Sequence, residues 1–86
     1  MNDTESKIRQ ILAEIAELST DVPAEANLYL DLGVASVHAM QLLTELEGRF
    51  DVQVPDEEFV EATSIAELTR MVDRLLDERA REAGRA

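Results

Sequence analysis

The sequence predicts an all-α fold: three longer helices and one short helix, with a long loop between the first two. Three observations carry this. Apolar residues recur at helical spacing in three stretches, and two helix-start signals stand in the C-terminal half. Aromatic residues are only 3% of a chain that is 45% hydrophobic, so the core is built from Leu, Ile, Val, Ala and Met.

The first helix is read over Thr4 to Glu17 from Ile8, Ile11, Leu12, Ile15 and Leu18, which share one helical face. Ser19 to Ala35 contains Pro23, Asn27 and Gly33 and breaks regular structure, while Leu28, Leu30 and Leu32 are expected to tack it down. A loop of this length is often functional. A second helix starts near Ser36, with Ala39, Leu42, Leu43, Leu46 and Phe50 on a core-facing stripe and Val37 and Met40 off it. Residues 51–54 alternate like a strand, but the segment is too short to form a sheet alone and is read as a connecting loop.

Pro55 followed by Asp56, Glu57 and Glu58 marks the start of a short helix to about Glu61, because acids suit the positive end of the helix dipole. Ser64 and Glu67 have capping-box spacing, and Ile65, Leu68, Val72, Leu75 and Leu76 follow at helical intervals. The fourth helix is expected to run to Asp77 or a little beyond. One domain over residues 1–77 is therefore expected, followed by a charged tail, 78–86, as a frayed helix end. The expected core is Ile11, Ile15, Leu42, Leu46, Phe50, Leu68 and Val72, in a monomer.

Nineteen acids against eight bases give a formal charge of -11, which repels nucleic acid and anionic membrane surfaces alike. Eighty-six residues leave little room for an enclosed catalytic cleft. With no cysteine, thiolate chemistry within the chain is excluded. No stretch has the apolar length of a signal peptide or a membrane span, so a cytoplasmic protein is expected.

The sharpest local arrangement is Asp31-Leu32-Gly33-Val34-Ala35-Ser36, a turn-capable glycine leading to a serine that opens a helix. Serine there is a common helix cap, yet the free N–H groups and the dipole at that end also suit a phosphodiester. A hydrolase built on Ser36, His38 and Asp31 fails on geometry. Residues two apart on a helix do not face each other, and no oxyanion-hole motif is present. No twelve-residue segment has the ligand pattern of an EF-hand.

From about Glu5 to Asp77 the chain resembles the acyl carrier protein family. The resemblance rests on Asp31-Leu32-Gly33 before Ser36, on Glu47-Gly48-Arg49-Phe50-Asp51, on Val54-Pro55-Asp56-Glu57-Glu58, and on Ser64-Ile65-Ala66-Glu67-Leu68. It implies a four-helix acyl-carrier-type bundle that is not an enzyme. It also implies 4'-phosphopantetheine esterified to Ser36 by a separate magnesium-dependent phosphopantetheinyl transferase, with Asp31, Leu32 and Gly33 as the further cofactor-binding positions. The arm's thiol would carry acyl, aminoacyl or peptidyl groups as thioesters to ligase, synthetase or synthase partners. The chain departs from the fatty-acid type in having Ala35-Ser36-Val37 where Asp-Ser-Leu is usual. The missing acid points to a dedicated transferase or another subfamily, an aminoacyl carrier among them. An arm-less acidic adaptor of the same fold is the reading from another class.

Between Gln10 and Thr69 stand thirteen acids and one base, Arg49. Such a surface keeps a domain soluble. As a recognition surface, Glu45, Glu47, Asp56, Glu57 and Glu61 would be read by basic patches on partners. Val37, His38 and Met40, close to Ser36, are the further candidates for partner contact, methionine being a side chain that adapts to several surfaces.

Overall fold

A computed structural model describes residues 3–84. Four helices follow in order, α1 Asp3–Ala16, α2 Ser36–Phe50, α3 Asp56–Glu61 and α4 Ile65–Ala83, and the described residues contain no strand. The all-α architecture with one short helix matches the expectation from periodicity. No helix among the described residues is long and apolar enough to cross a membrane.

The core is the sum of the apolar stripes. Helix α1 packs on both α4 and α2. Ile8, Ile11, Leu12, Leu42, Leu46, Ile65, Leu68 and Val72 are withdrawn from solvent between them. Phe50 and Phe59 belong to the same buried cluster. Of the expected core residues, Ile15 is the correction. It sits in the last turn of α1 and is half-buried, because the chain leaves the helix there through Glu17 at a positive φ of 56°. Val52 and Val54 are both buried while Asp51 and Gln53 are exposed, so the two-residue alternation is real without a strand. The loop buries one face against the helices.

Helix α4 begins as its sequence dictates. The Ser64 hydroxyl accepts from the Glu67 N–H at 3.1 Å, and the Glu67 carboxylate accepts from the Thr63 N–H at 3.1 Å and the Ser64 hydroxyl at 3.2 Å. It ends later than Asp77, running on to Ala83. Ion pairs at i,i+4, Arg74 to Glu78 at 2.8 Å and Arg81 to Asp77 at 3.0 Å, support this exposed extension, and Arg79 reaches Asp51 at 2.8 Å. The last two residues of the predicted tail lie outside the described residues.

The long loop is fastened at several points. One Arg9 guanidinium nitrogen donates to the carbonyls of Thr20, at 2.9 Å, and Val22, at 2.6 Å, while its Nε holds Glu5 at 3.0 Å. The Leu28 N–H donates to Thr63 O at 2.8 Å, and the Ala66 N–H to Ala24 O at 2.9 Å. Leu28 is fully buried and Leu32 half-buried, but Leu30 is 86% exposed and tacks nothing down. Its backbone is turned outward by Asn27, whose side-chain oxygen accepts from the Tyr29 and Leu30 N–H groups, both at 2.9 Å.

Candidate functional site

The approach to Ser36 is a locked turn. Asp31 accepts from the Asn27 N–H at 2.9 Å through its carboxylate, and its own N–H returns to Asn27 O at 2.9 Å. Asp31 is thus committed to holding the loop closed. Leu32 is half-buried beneath it, and its N–H also reaches Asn27 O at 3.1 Å. Gly33 adopts φ +71°, which carries a steric penalty for any side chain. A Cβ at this position would meet nothing within 4 Å, so backbone conformation alone demands the glycine. The chain then extends through Val34, buried, whose N–H donates to Leu28 O at 2.9 Å. Backbone bonds therefore set Thr63, Leu28 and Val34 side by side, leading straight into α2.

The helix cap is Ala35, with φ -82° and ψ 158° and no side-chain hydrogen bond. This corrects the reading of Ser36 as a cap: Ser36 is the first residue of the helix. Its side chain is exposed, and its hydroxyl makes no hydrogen bond among the described residues. Ala35 O accepts from the N–H groups of His38, at 3.0 Å, and Ala39, at 3.2 Å. The N–H groups of Ser36 and Val37 are left without a protein acceptor among the described residues. A free hydroxyl beside two free N–H donors at the positive end of a fifteen-residue helix fits a phosphodiester on both hydrogen bonding and charge.

Val37 and Met40 are exposed at 61% and 73%, and His38 is half-buried with its Nδ1 enclosed and unpartnered. The candidate acids divide into two sets. Glu45 accepts from Arg49 Nε at 2.7 Å, and the same guanidinium reaches across to Glu14 of α1 at 2.7 Å. Hydrogen bonds to Glu14 and then to Glu45 push Arg49 further above its ordinary range. Glu47 is half-buried and accepts from the Val54 N–H at 3.0 Å, pinning the loop that follows α2. Asp56, Glu57 and Glu61 lie exposed on α3 with no ion pair among the described residues. Reading the sequence missed Asn27, Arg9 and Thr63, which hold the site's approach. The four-residue spacing of Asn27 and Asp31 is the one signal that pointed to such a clamp.

The family described as "Phosphopantetheine attachment site" matches residues 6–72, a span that contains Ser36. An acyl carrier protein of Akkermansia muciniphila is 32% identical over 75 residues, covering 86% of this chain and 94% of the relative. A non-reducing polyketide synthase of Monascus ruber is 32% identical over 74 residues, 86% of this chain but 3% of that much larger protein. A helical bundle that presents an unengaged serine hydroxyl at a helix start, matched over most of its length, belongs to the phosphopantetheine-attachment family of non-enzymatic acyl carrier proteins.

Proposed function

We propose that Ser36 is the residue that bears the 4'-phosphopantetheine arm, and that the chain carries acyl or aminoacyl groups on that arm as thioesters to partner enzymes. The observation that carries this reading is the exposed, unbonded Ser36 hydroxyl next to the free Ser36 and Val37 N–H groups. In the loading reaction the hydroxyl oxygen forms a bond to the phosphorus of coenzyme A that bears the pantetheine. The bond to the bridging oxygen breaks, the adenosine bisphosphate leaves, and the hydroxyl proton passes to a base on the transferase. The carrier supplies the nucleophile and its setting. Asp31, Leu32 and Gly33 act as positioning residues that hold the approach to α2.

The partners proposed are a phosphopantetheinyl transferase and the acyl- or amino-acid-activating ligases, synthetases or synthases that use the thioester. Asp56, Glu57 and Glu61 are the acids free to steer a basic patch on such enzymes. An amino-acid cargo is the second reading, favoured by the neutral polar pair His38 and Gln41 in the first two turns of α2. A cytoplasmic location accords with this chemistry.

The test is intact-protein mass spectrometry after incubation with coenzyme A, magnesium and a panel of transferases. One phosphopantetheine mass should be added. Ser36→Ala should abolish the addition while changing stability by no more than about 0.5 kcal/mol, since the hydroxyl makes no bond to lose. If only a restricted transferase works, Ala35→Asp should widen the range. Protein isolated from its source that carries no arm, together with refusal by every transferase, would replace this reading with the arm-less adaptor. A cargo mass on the native protein separates fatty acyl from aminoacyl.

A further inference from the structure

We infer that the groove between α1 and α2 holds the chain's own phosphopantetheine arm, laid against Ile15, Val37, Met40, Gln41 and Thr44 when no enzyme is engaged. This rests on the reading of Ser36 as the attachment residue. Val37, Met40, Gln41 and Thr44 stand at i, i+3, i+4 and i+7, so they form one stripe of α2, turned away from the core stripe of Leu42, Leu46 and Phe50. With Ile15 from the end of α1 and with Glu45 they line a groove of about 420 Å³, within the roughly 300 to 1,000 Å³ of small-molecule sites. The groove starts at Val37, the residue after Ser36. Its occupant is therefore tethered at the mouth, and a short tether raises the local concentration to roughly millimolar levels without any new contact.

Length and chemistry agree along the stripe. Thr44 follows Ser36 by about 12 Å of helix axis. From phosphate to thiol the arm's backbone equals about four to five residues, roughly 15 Å when extended, so it can span the stripe. Beyond the phosphate the arm is uncharged, with a geminal dimethyl group first and two amides after it. The groove offers counterparts in the same order. Val37 and Met40, 61% and 73% exposed, come first and would lose water against the dimethyl group. Methionine suits this, because its flexible thioether conforms to the shape it meets. Gln41 and Thr44 follow. The Gln41 side chain makes no hydrogen bond among the described residues, and the Thr44 hydroxyl, which donates to Met40 O at 3.2 Å, keeps its lone pairs for an amide N–H. From Leu32 through Thr44 the chain has no charged residue, His38 counted as neutral, so seating the arm strips water from no charge. Glu45, where the thiol would arrive, is already held by Arg49. A second copy is disfavoured as the source of the arm, since each copy brings a formal charge of -11.

The experiment compares the full chain with and without its arm by NMR, the methyl groups of Ile, Val and Met being labelled. Nuclear Overhauser contacts are expected between the arm's dimethyl group and the methyls of Val37 and Met40, with shift changes running along the stripe to Thr44. A second readout is the rate at which the arm's thiol attacks a small neutral disulfide, set against free pantetheine at the same pH. The chain is expected to slow this reaction roughly three- to tenfold, because exchange requires access to the thiol. The stripe is uncharged, so the protection should persist from about 0.05 to 0.5 M salt, whereas slowing by the protein's negative field would be screened away. Met40→Ala and Gln41→Ala should each restore most of the rate. Both residues are exposed, so far-UV circular dichroism of the variants should match the parent. Shift changes confined to Ser36 and its immediate neighbours, arm contacts on α3 instead, or a thiol as fast as free pantetheine at high salt would each overturn this inference alone. Protection that fades on dilution would overturn it in favour of the groove of a second copy. A parent that no transferase loads would overturn the carrier reading and this inference with it.

Discussion

Leu46 is fully withdrawn from solvent in the middle of α2, one turn from Leu42 and one from Phe50, and belongs to the single core cluster. Leu46→Ala removes about three methylene-sized groups, a transfer loss of about 2.4 kcal/mol. The cavity left behind adds to this, because α1 and α4 are held in place by the rest of the core, and the total falls in the range of roughly 2 to 5 kcal/mol. A domain of 86 residues holds on the order of 4 to 13 kcal/mol of stability, so the substitution removes a large share of it. A loss of about 3 kcal/mol lowers Tm by roughly 12 to 24 °C in a domain of this size. The assay is urea unfolding followed by far-UV circular dichroism, with Leu30→Ala as the companion. Leu30 is also a leucine, but it is 86% exposed, so its truncation should shift stability by no more than about 0.5 kcal/mol. If Leu46→Ala unfolds at the parental midpoint with the same slope, or if the two variants lose equally, the assignment of the core to this face of α2 is refuted.

Two further perturbations probe how the helices begin and persist. Ser64→Ala removes the hydroxyl that accepts from Glu67 and donates to its carboxylate, and should cost about 0.5 to 2 kcal/mol by the same unfolding assay. Gly48 lies within α2, where an added Cβ would meet nothing within 4 Å. Gly48→Ala should therefore stabilise the protein by roughly 0.5 to 1 kcal/mol, read as a higher Tm, and a lower Tm would reveal a contact at this face.

The acids show why a sequence pattern under-determines a surface. Glu45 and Glu47 sit among the charges of the central segment and read as docking residues beside Asp56, Glu57 and Glu61. In the folded chain Arg49 and the Val54 N–H take up the first two. Charge reversal at Glu45 or Glu47 would therefore disturb the α1–α2 bridge or the loop after α2 as well as any partner. Of the candidate acids, Asp56, Glu57 and Glu61 offer the clean electrostatic test, whereas Glu58 of the same helix is paired with Arg74.

By itself the sequence determined the number and type of helices, their core-facing stripes and the capping box at Ser64. Each of these follows from spacing along the chain, which local backbone geometry converts directly into a face or a cap. It also singled out Ser36, through a glycine that must turn and a helix that must start. Tertiary structure alone decided that Ala35 takes the cap and leaves the Ser36 hydroxyl free, and that Asn27 closes on Asp31. It likewise decided that Leu30 faces water and that Ile15 joins Val37 and Met40 in one groove. Those outcomes depend on the direction in which the long loop crosses from α1 to the turn before α4. Hydrogen bonds to Arg9, Thr63 and Ala66, distant in sequence, set that direction. No period or local motif encodes such partners, because the loop's polar backbone is satisfied wherever the packed helices happen to offer a donor or an acceptor.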